Sequence, residues 1–426
     1  MVGRVRRPPM AARAVVLLTL LVPLAGCGAT LEAADPAADV RPIPTGEGCA
    51  ATVMTTLGSV LKRVYREGIV SERTASARHM ITRSVPLRKA VERGDASAAR
   101  AAIKELIATG HMSDVMIVKN KKVLVAVGGP ALAPLRGTLM DASGHELAGY
   151  VVSVWADNGF VSEANGIAQG TVALRVGEAS IAGIDLPPGL AAQGTLTRNG
   201  ASFHYTSFPV QTYPAGSATL YLLKPLSAIE KLCGASSEDT IVNTLKGIAE
   251  LIYAGESGAR THVQIKRVQS DAPLLRAVSR GDAAATETAV KALLHEHIVR
   301  LRVSGKGHLL SDVGGPYVLA PVTAPLRLGR RTIGSFVLSI QDDEGYLRLT
   351  KRLAGLQVLM YMNPIGPANR GGLQLVKNSL GPNPGAVPAS GRYRYRGANY
   401  RVFTVDAKAF PSGPLTIRVL VPIPYT

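Results

Sequence analysis

Eight histidines and three cysteines are the side chains of this 426-residue chain whose types suit metal binding or nucleophilic attack. His111 and His297 stand in matching contexts 297 − 111 = 186 positions apart, and His295-Glu296-His297 adds further donors. A zinc site needs three or four donors converging on one point. Residues two apart on a helix point to different sides, so His295 and His297 do not converge, and His111 has no donor beside it. We read them as structural, because a His near a helix C-terminus complements the dipole, and expect no metal. A Gly-x-Ser-x-Gly elbow is missing, Cys49 lies at the edge of a linker, and Gly314-Gly315-Pro316 lacks the Lys-Ser/Thr that a phosphate loop requires. Neither an enzyme nor a cofactor is expected.

Binding chemistry has better candidates. In "GSFVLSIQDD", Gly334 to Asp343, alternate residues of a strand face opposite sides. Ser335, Val337, Ser339 and Gln341 therefore share one face, and Phe336, Leu338 and Ile340 the other. If the apolar face packs on a core, the Ser/Gln face either lines a pocket or meets solvent, and both readings are open. Tyr317, Arg327, Tyr346 and Arg348 lie nearby in sequence and would add donors and an aromatic wall, as an apolar cleft with a few polar groups requires. An Arg there would suit a carboxylate. The expected ligand set is thus Tyr317, Arg327, Ser339, Gln341, Tyr346 and Arg348; Ser153 and Trp155 occupy the matching face earlier in the chain.

The elements that would position these residues occur twice. Arg93-Gly94-Asp95 recurs as Arg280-Gly281-Asp282 at an offset of 282 − 95 = 187. Val127-Gly128-Gly129-Pro130 recurs as Val313-Gly314-Gly315-Pro316 at 316 − 130 = 186, and Tyr205-x-x-Phe208-x-Val210 as Tyr400-x-x-Phe403-x-Val405 at 400 − 205 = 195. Collinear order and a nearly constant offset indicate a duplicated domain. Each copy opens with helical periodicity and continues in short β-type runs such as "DVMIVKN", "KVLVAVG" and "GYVVSVWA", bounded by turn signals. The order predicts an α+β layout, helices on one side of an antiparallel sheet in each copy. Gly94 and Gly281 fit a helix end with positive φ and Asp95 and Asp282 the next N-cap, so Arg-Gly-Asp reads as a hinge between helices. The Gly-Gly-Pro sites read as strand-end turns.

The first 26 residues carry Arg4, Arg6, Arg7 and Arg13 without an acid, then an apolar run too short to span a bilayer. Leu24-Ala25-Gly26-Cys27 follows at once and looks like a bacterial lipobox. A lipid on Cys27 would anchor the mature chain to the extracytoplasmic face of a membrane; a plain secreted protein and an uncleaved anchor are the alternatives. Residues 27–48 read as a tether. Removing residues 1–26 leaves a formal charge of 18 − 4 = +14, which favours anionic neighbours. Nucleic acid is set aside because of the export signal, and because the charge reads as dispersed instead of interleaved with aromatics. Cys49 and Cys233 remain, either as a disulfide joining the starts of the two copies or as two buried thiols.

The stretch "EHIVRLRVSGKGHLLSDVG…LAPVTAPLRLGRRTIGSFVLSIQDDEGY", Glu296 to Tyr346, resembles Cache domains, extracytoplasmic sensor modules with a PAS-like sheet. "GGPALAPLRGTLMDASGHELAGYVVSV" resembles them more loosely. The resemblance implies two tandem Cache-like domains, at 49–228 and 229–426, and a small metabolite held between sheet and covering segments, with the second copy preferred. Relatives are usually joined through a transmembrane helix to a signalling module, which is not found here. The expected function is therefore a lipid-anchored sensor or ligand-presenting protein without its own output domain, working with a membrane signalling or transport partner. A cell-envelope structural or adhesion protein and a solute-capture protein for a transporter are the competing classes.

Overall fold

The computed structural model describes residues 47–110, 112–255, 258–294, 297–365 and 372–425. The leader, Cys27 and nearly all of the tether lie outside them. In the first half the order is α1 (Glu47–Val70), α2 (Glu72–Arg83), α3 (Val85–Arg93), α4 (Ala96–Gly110), β1 (Asp114–Lys119), β2 (Lys122–Gly128), β3 (Ala131–Leu132), β4 (Leu135–Met140), β5 (Glu146–Ser153), β6 (Trp155–Ala156), α5 (Asp157–Ala168), β7 (Thr171–Val176), β8 (Ala179–Gly183), β9 (Gln193–Arg198), β10 (Ala201–Tyr213), β11 (Gly216–Pro225) and α6 (Leu226–Glu230). The second half repeats it with α7 (Ser237–Gly255), α8 (Ala259–Ser270), α9 (Ala272–Arg280), α10 (Ala283–Leu293), β12 (Arg300–Gly305), β13 (His308–Gly314), β14 (Val318–Leu319), β15 (Val322–Leu328), β16 (Arg331–Ser339), β17 (Gln341–Asp342), α11 (Asp343–Ala354), β18 (Gln357–Met362), β19 (Gln374–Asn378), β20 (Gly391–Tyr395), β21 (Ala398–Phe410) and β22 (Gly413–Ile423).

Both halves have the α+β layout of helices followed by antiparallel, PAS-like sheets, but each carries two sheets where one was expected. The small sheets run β2-β1-β5-β4 and β13-β12-β16-β15. The large ones run β6-β3-β10-β11-β7-β8 and β17-β14-β21-β22-β18-β19, with β9 on β10 and β20 on β21. Taking β7 as a first strand, β8-β7-β11-β10-β9 follows the second-first-fifth-fourth plan of β2-β1-β5-β4, so one plan occurs four times.

Two devices carry the chain between sheets. Gly128 and Gly314 hold φ of 119° and 135°, and a Cβ would stand 2.4 Å from the Ser113 carbonyl oxygen or 2.3 Å from that of Val299. Only glycine fits there, which is why Gly-Gly-Pro recurs. On the return, the Ser153 hydroxyl donates to the Leu132 carbonyl and accepts from Trp155 N–H at 3.1 Å; Ser339 does the same with Leu319 and with Gln341 N–H at 3.3 Å.

The core sits between the large sheets. α1 buries Val53, Leu57, Val60, Leu61 and Val64, and α7 buries Leu245, Ile248, Ala249 and Ile252. These stripes join α5, α11 and the inner faces of both large sheets in one cluster spanning the halves, so the halves share a core. Each such side chain stabilises by about 1.5–3 kcal/mol on burial. Each small sheet has its own cluster under α2–α4 or α8–α10. Cys49 and Cys233 are joined in a disulfide with Cα atoms 5.7 Å apart. Tyr65 on α1 accepts a hydrogen bond from Gln211 N–H at 2.8 Å, and Tyr253 on α7 one from Lys408 N–H at 2.9 Å, tying each long helix to the hairpin of its own large sheet. No described helix is long and apolar enough to cross a membrane.

The Arg-Gly-Asp segments are hinges. Gly94 and Gly281 have φ of 68° and 76°, while Asp95 Oδ1 accepts from Ala98 N–H at 2.9 Å and Asp282 Oδ1 from Ala285 N–H at 3.0 Å. Asp95→Ala and Asp282→Ala are each expected to cost about 1 kcal/mol in urea unfolding; no loss at either site would contradict the capping role. Cys49→Ser/Cys233→Ser, which opens a closed loop of sequence separation 184, is expected to cost about 2–4 kcal/mol in the same measurement.

Candidate functional site

Each small sheet presents one face to its helices and the other to the hairpin of its large sheet. In β1, Val115 and Ile117 point into the helix-side cluster, so Asp114, Met116 and Val118 face outward. Cross-strand pairing adds Val151, Gly149 and Arg136 to that outer face. Opposite stands the β10–β11 turn, and the two enclose a groove of about 520 Å³ whose lining includes Met116, Val118, Arg136, Val151, Gln211 and Tyr213. Tyr213 donates to Met116 Sδ at 2.7 Å, and the bond from Tyr65 holds Gln211 in place. Among the described residues Arg136 has no ion-pair or hydrogen-bond partner, and it is exposed at the rim.

Asp114 begins β1 on the same side and lies outside the groove's lining. It is buried, its Oδ2 has no hydrogen-bond partner among the described residues, and burial pushes its carboxyl up to about 7. Burial also raises Tyr213, with a contribution from the Asp114 charge.

The equivalent place in the second half is filled. Arg300 and Arg302 replace Asp114 and Met116, and Asp312 replaces Ala126. Arg300 Nε lies 2.8 Å from Asp312 Oδ1 and Arg302 Nη2 lies 2.7 Å from Oδ2. Both guanidinium groups stack over Phe410, at 5.0 and 4.5 Å from the ring centre. Burial works to raise Asp312, but the hydrogen bonds from Arg300 and Arg302 outweigh it and hold the carboxyl below its ordinary value.

The expected ligand set divides. Tyr317, Ser339, Gln341 and Tyr346 gather where β14 meets β17 and α11: Leu319 pairs with Gln341, Asp343 N–H donates to the Tyr317 carbonyl at 3.4 Å, and the Tyr346 hydroxyl, fully buried, donates to Ala249 O at 3.1 Å. Their polar atoms serve the junction: the Tyr317 hydroxyl accepts from Ile365 N–H at 3.2 Å, and Ser339 fastens the crossover. Gln341 Oε1 is buried without a partner among the described residues. Arg327, on β15, and Arg348, on α11, are both exposed, while Ser339, Gln341 and Tyr346 are buried. The Ser/Gln face breaks at Ser339, where the chain leaves one sheet for the other; Ser335 is exposed and Val337 half-buried on the Arg-filled face. His111, His295 and Glu296 lie outside the described residues, and His297 is exposed beyond the end of α10.

Sequence reasoning passed over the groove because its residues are separately ordinary. It also passed over Arg392-Tyr393-Arg394-Tyr395-Arg396, an interleaved run that corrects the reading of dispersed charge. The Tyr393 and Tyr395 hydroxyls donate to the Pro384 and Pro382 carbonyls, and Arg396 lies 5.3 Å from the Tyr395 ring centre. Both hydroxyls are thus engaged within the fold.

No protein-family model matches the chain, and no curated protein does. One solved structure similar to it is an extracellular ligand binding receptor from Desulfohalobium retbaense, with 10% sequence identity and a TM-score of 0.24, covering 55% of this chain and 47% of that one. The chain thus spans about half of that receptor's length, and at this score the likeness decides nothing about function.

Asp114 yields a pH dependence. The folded state keeps a proton that the unfolded state releases above about 3.9, so this group removes stability as pH rises from there to about 7. Asp114→Asn is expected to melt higher relative to the parent near pH 8 than near pH 4; an equal difference at both would contradict it.

Proposed function

We propose that this chain is an extracytoplasmic ligand-binding protein, held at a membrane by a lipid on Cys27, that takes a small anionic metabolite in the first-half groove and presents the bound state to a membrane signalling or transport partner. It performs no chemistry on the ligand. The observation that carries the reading is the contrast between halves: matched faces, one filled by Arg300, Arg302, Asp312 and Phe410, the other open around Met116, Arg136 and Tyr213. Apolar walls with one rim cation and a few polar groups are the composition of a small-molecule cleft. Arg136 would pair a carboxylate. This moves the ligand from the second copy, where the resemblance to Cache domains is closer, to the first.

Thermal-shift screening of the chain from residue 28 against organic acids, amino acids and nucleobases tests the reading. A binder is expected to raise the melting temperature, and Arg136→Ala to remove that rise by at least tenfold in affinity, the scale of one charge-assisted pair. Arg327→Ala is expected to leave it intact. A rise abolished by Arg327→Ala and kept by Arg136→Ala would return the site to the second half, and no rise across the panel would favour a structural role in the envelope.

A further inference from the structure

The outer tip of the second small sheet carries a feature that the groove does not use. A notch of about 350 Å³ opens between the C-terminal end of α9 and the β15–β16 hairpin. Its floor exists because Gly305 and Gly334 pair across β12 and β16: a Cβ on Gly334 would stand 2.3 Å from the Ser304 carbonyl oxygen and 3.1 Å from Val278 Cγ1. Around that floor stand Ser279, Lys306, Arg331, Thr332 and Leu328. Lys306 and Arg331 are exposed and have no ion-pair or hydrogen-bond partner among the described residues. Leu328 is 50% exposed, and Arg327 and Arg330 extend the positive charge along the same hairpin.

The first half shows that the fold does not require this. Glu92, Asn120, Asp141, His145 and Glu146 stand where the second half has Ser279, Lys306, Leu328, Arg331 and Thr332. Lys119 replaces the floor glycine Gly305, and its Nζ donates to the Val91 and Glu92 carbonyls at 2.6 and 3.0 Å, closing the end of α3. The first-half counterpart carries Glu92, Asp141 and Glu146 and is stoppered by Lys119, while the second-half notch is cationic, open and flanked by an exposed leucine.

We propose that the second-half notch docks the phosphate of an anionic phospholipid headgroup at a membrane surface. Two unpaired cations with the Thr332 hydroxyl beside them match a phosphodiester; the Ser279 hydroxyl is held by the Arg276 carbonyl at 2.9 Å. Leu328 next to them matches the apolar region just below it, the pairing by which peripheral proteins combine charge attraction with shallow insertion. Without residues 1–26 the chain still carries a formal charge of 18 − 4 = +14 and is drawn to such a surface as a whole, and the notch gives the contact a fixed place.

Co-sedimentation of the chain from residue 28 with phosphatidylcholine vesicles, with and without phosphatidylglycerol, tests this. Binding is expected only with phosphatidylglycerol. Lys306→Gln/Arg331→Gln is expected to weaken it roughly tenfold or more, and Leu328→Ser to weaken it with the charge unchanged. Lys121→Gln/Lys122→Gln, the same loss of charge at the other tip, is expected to bind like the parent. Equal losses from both double variants would overturn the proposal in favour of undirected attraction. Failure to bind vesicles, with inorganic phosphate raising the melting temperature of the parent but not of Lys306→Gln/Arg331→Gln, would reassign the notch to a free anion.

Discussion

The packing of α1 against α7 is the constraint on which the rest of the structure depends. Each helix buries its apolar stripe against the other helix and against a large sheet, so neither half closes its main core alone. The disulfide pins the start of α1 to the segment ahead of α7, and a bridge across so long a loop acts mainly by restricting the unfolded chain. From this centre Tyr65 and Tyr253 reach the hairpins of the large sheets, fixing the walls against which the small sheets face. The small sheets stand further out, each on its own helices, and are free to diverge without disturbing the shared core.

Divergence is what duplication permits here. The outer face of each small sheet starts from the same backbone and register, yet Arg302 and Asp312 fill one and Met116 and Ala126 leave the other open. A partly buried ion pair adds little net stability over apolar packing, so the filled face is no stronger argument for stability than the open one. What differs is access: one half offers a cleft with an unpaired rim arginine, and its partner offers a plugged face and a cationic tip.

Much of the architecture was legible in the sequence because its signals are local. The duplication, the Arg-Gly-Asp hinges and the Gly-Gly-Pro turns all rest on glycine and capping chemistry that needs no tertiary context. The second sheet in each half was not legible, because β3, β6, β14 and β17 are two residues long and the alternation of a strand runs on unbroken through Ser339. The expected ligand set divides between places in the fold for a related reason. Tyr317 and Tyr346 look like pocket residues by type, but burial at the crossover is decided by packing on α7. The open groove depends on what lies opposite Met116 and Ala126, and Tyr213 is brought there from far along the chain.

The most direct measurement transplants the filled face into the first half. Met116→Arg/Ala126→Asp recreates the Arg302–Asp312 pair on matching register positions, beside Tyr213 in place of Phe410. The double variant is expected to fold, and to lose the stabilisation that a metabolite panel gives the parent in thermal melting. Undiminished stabilisation of the double variant would contradict the claim that the open first-half face is where the ligand binds.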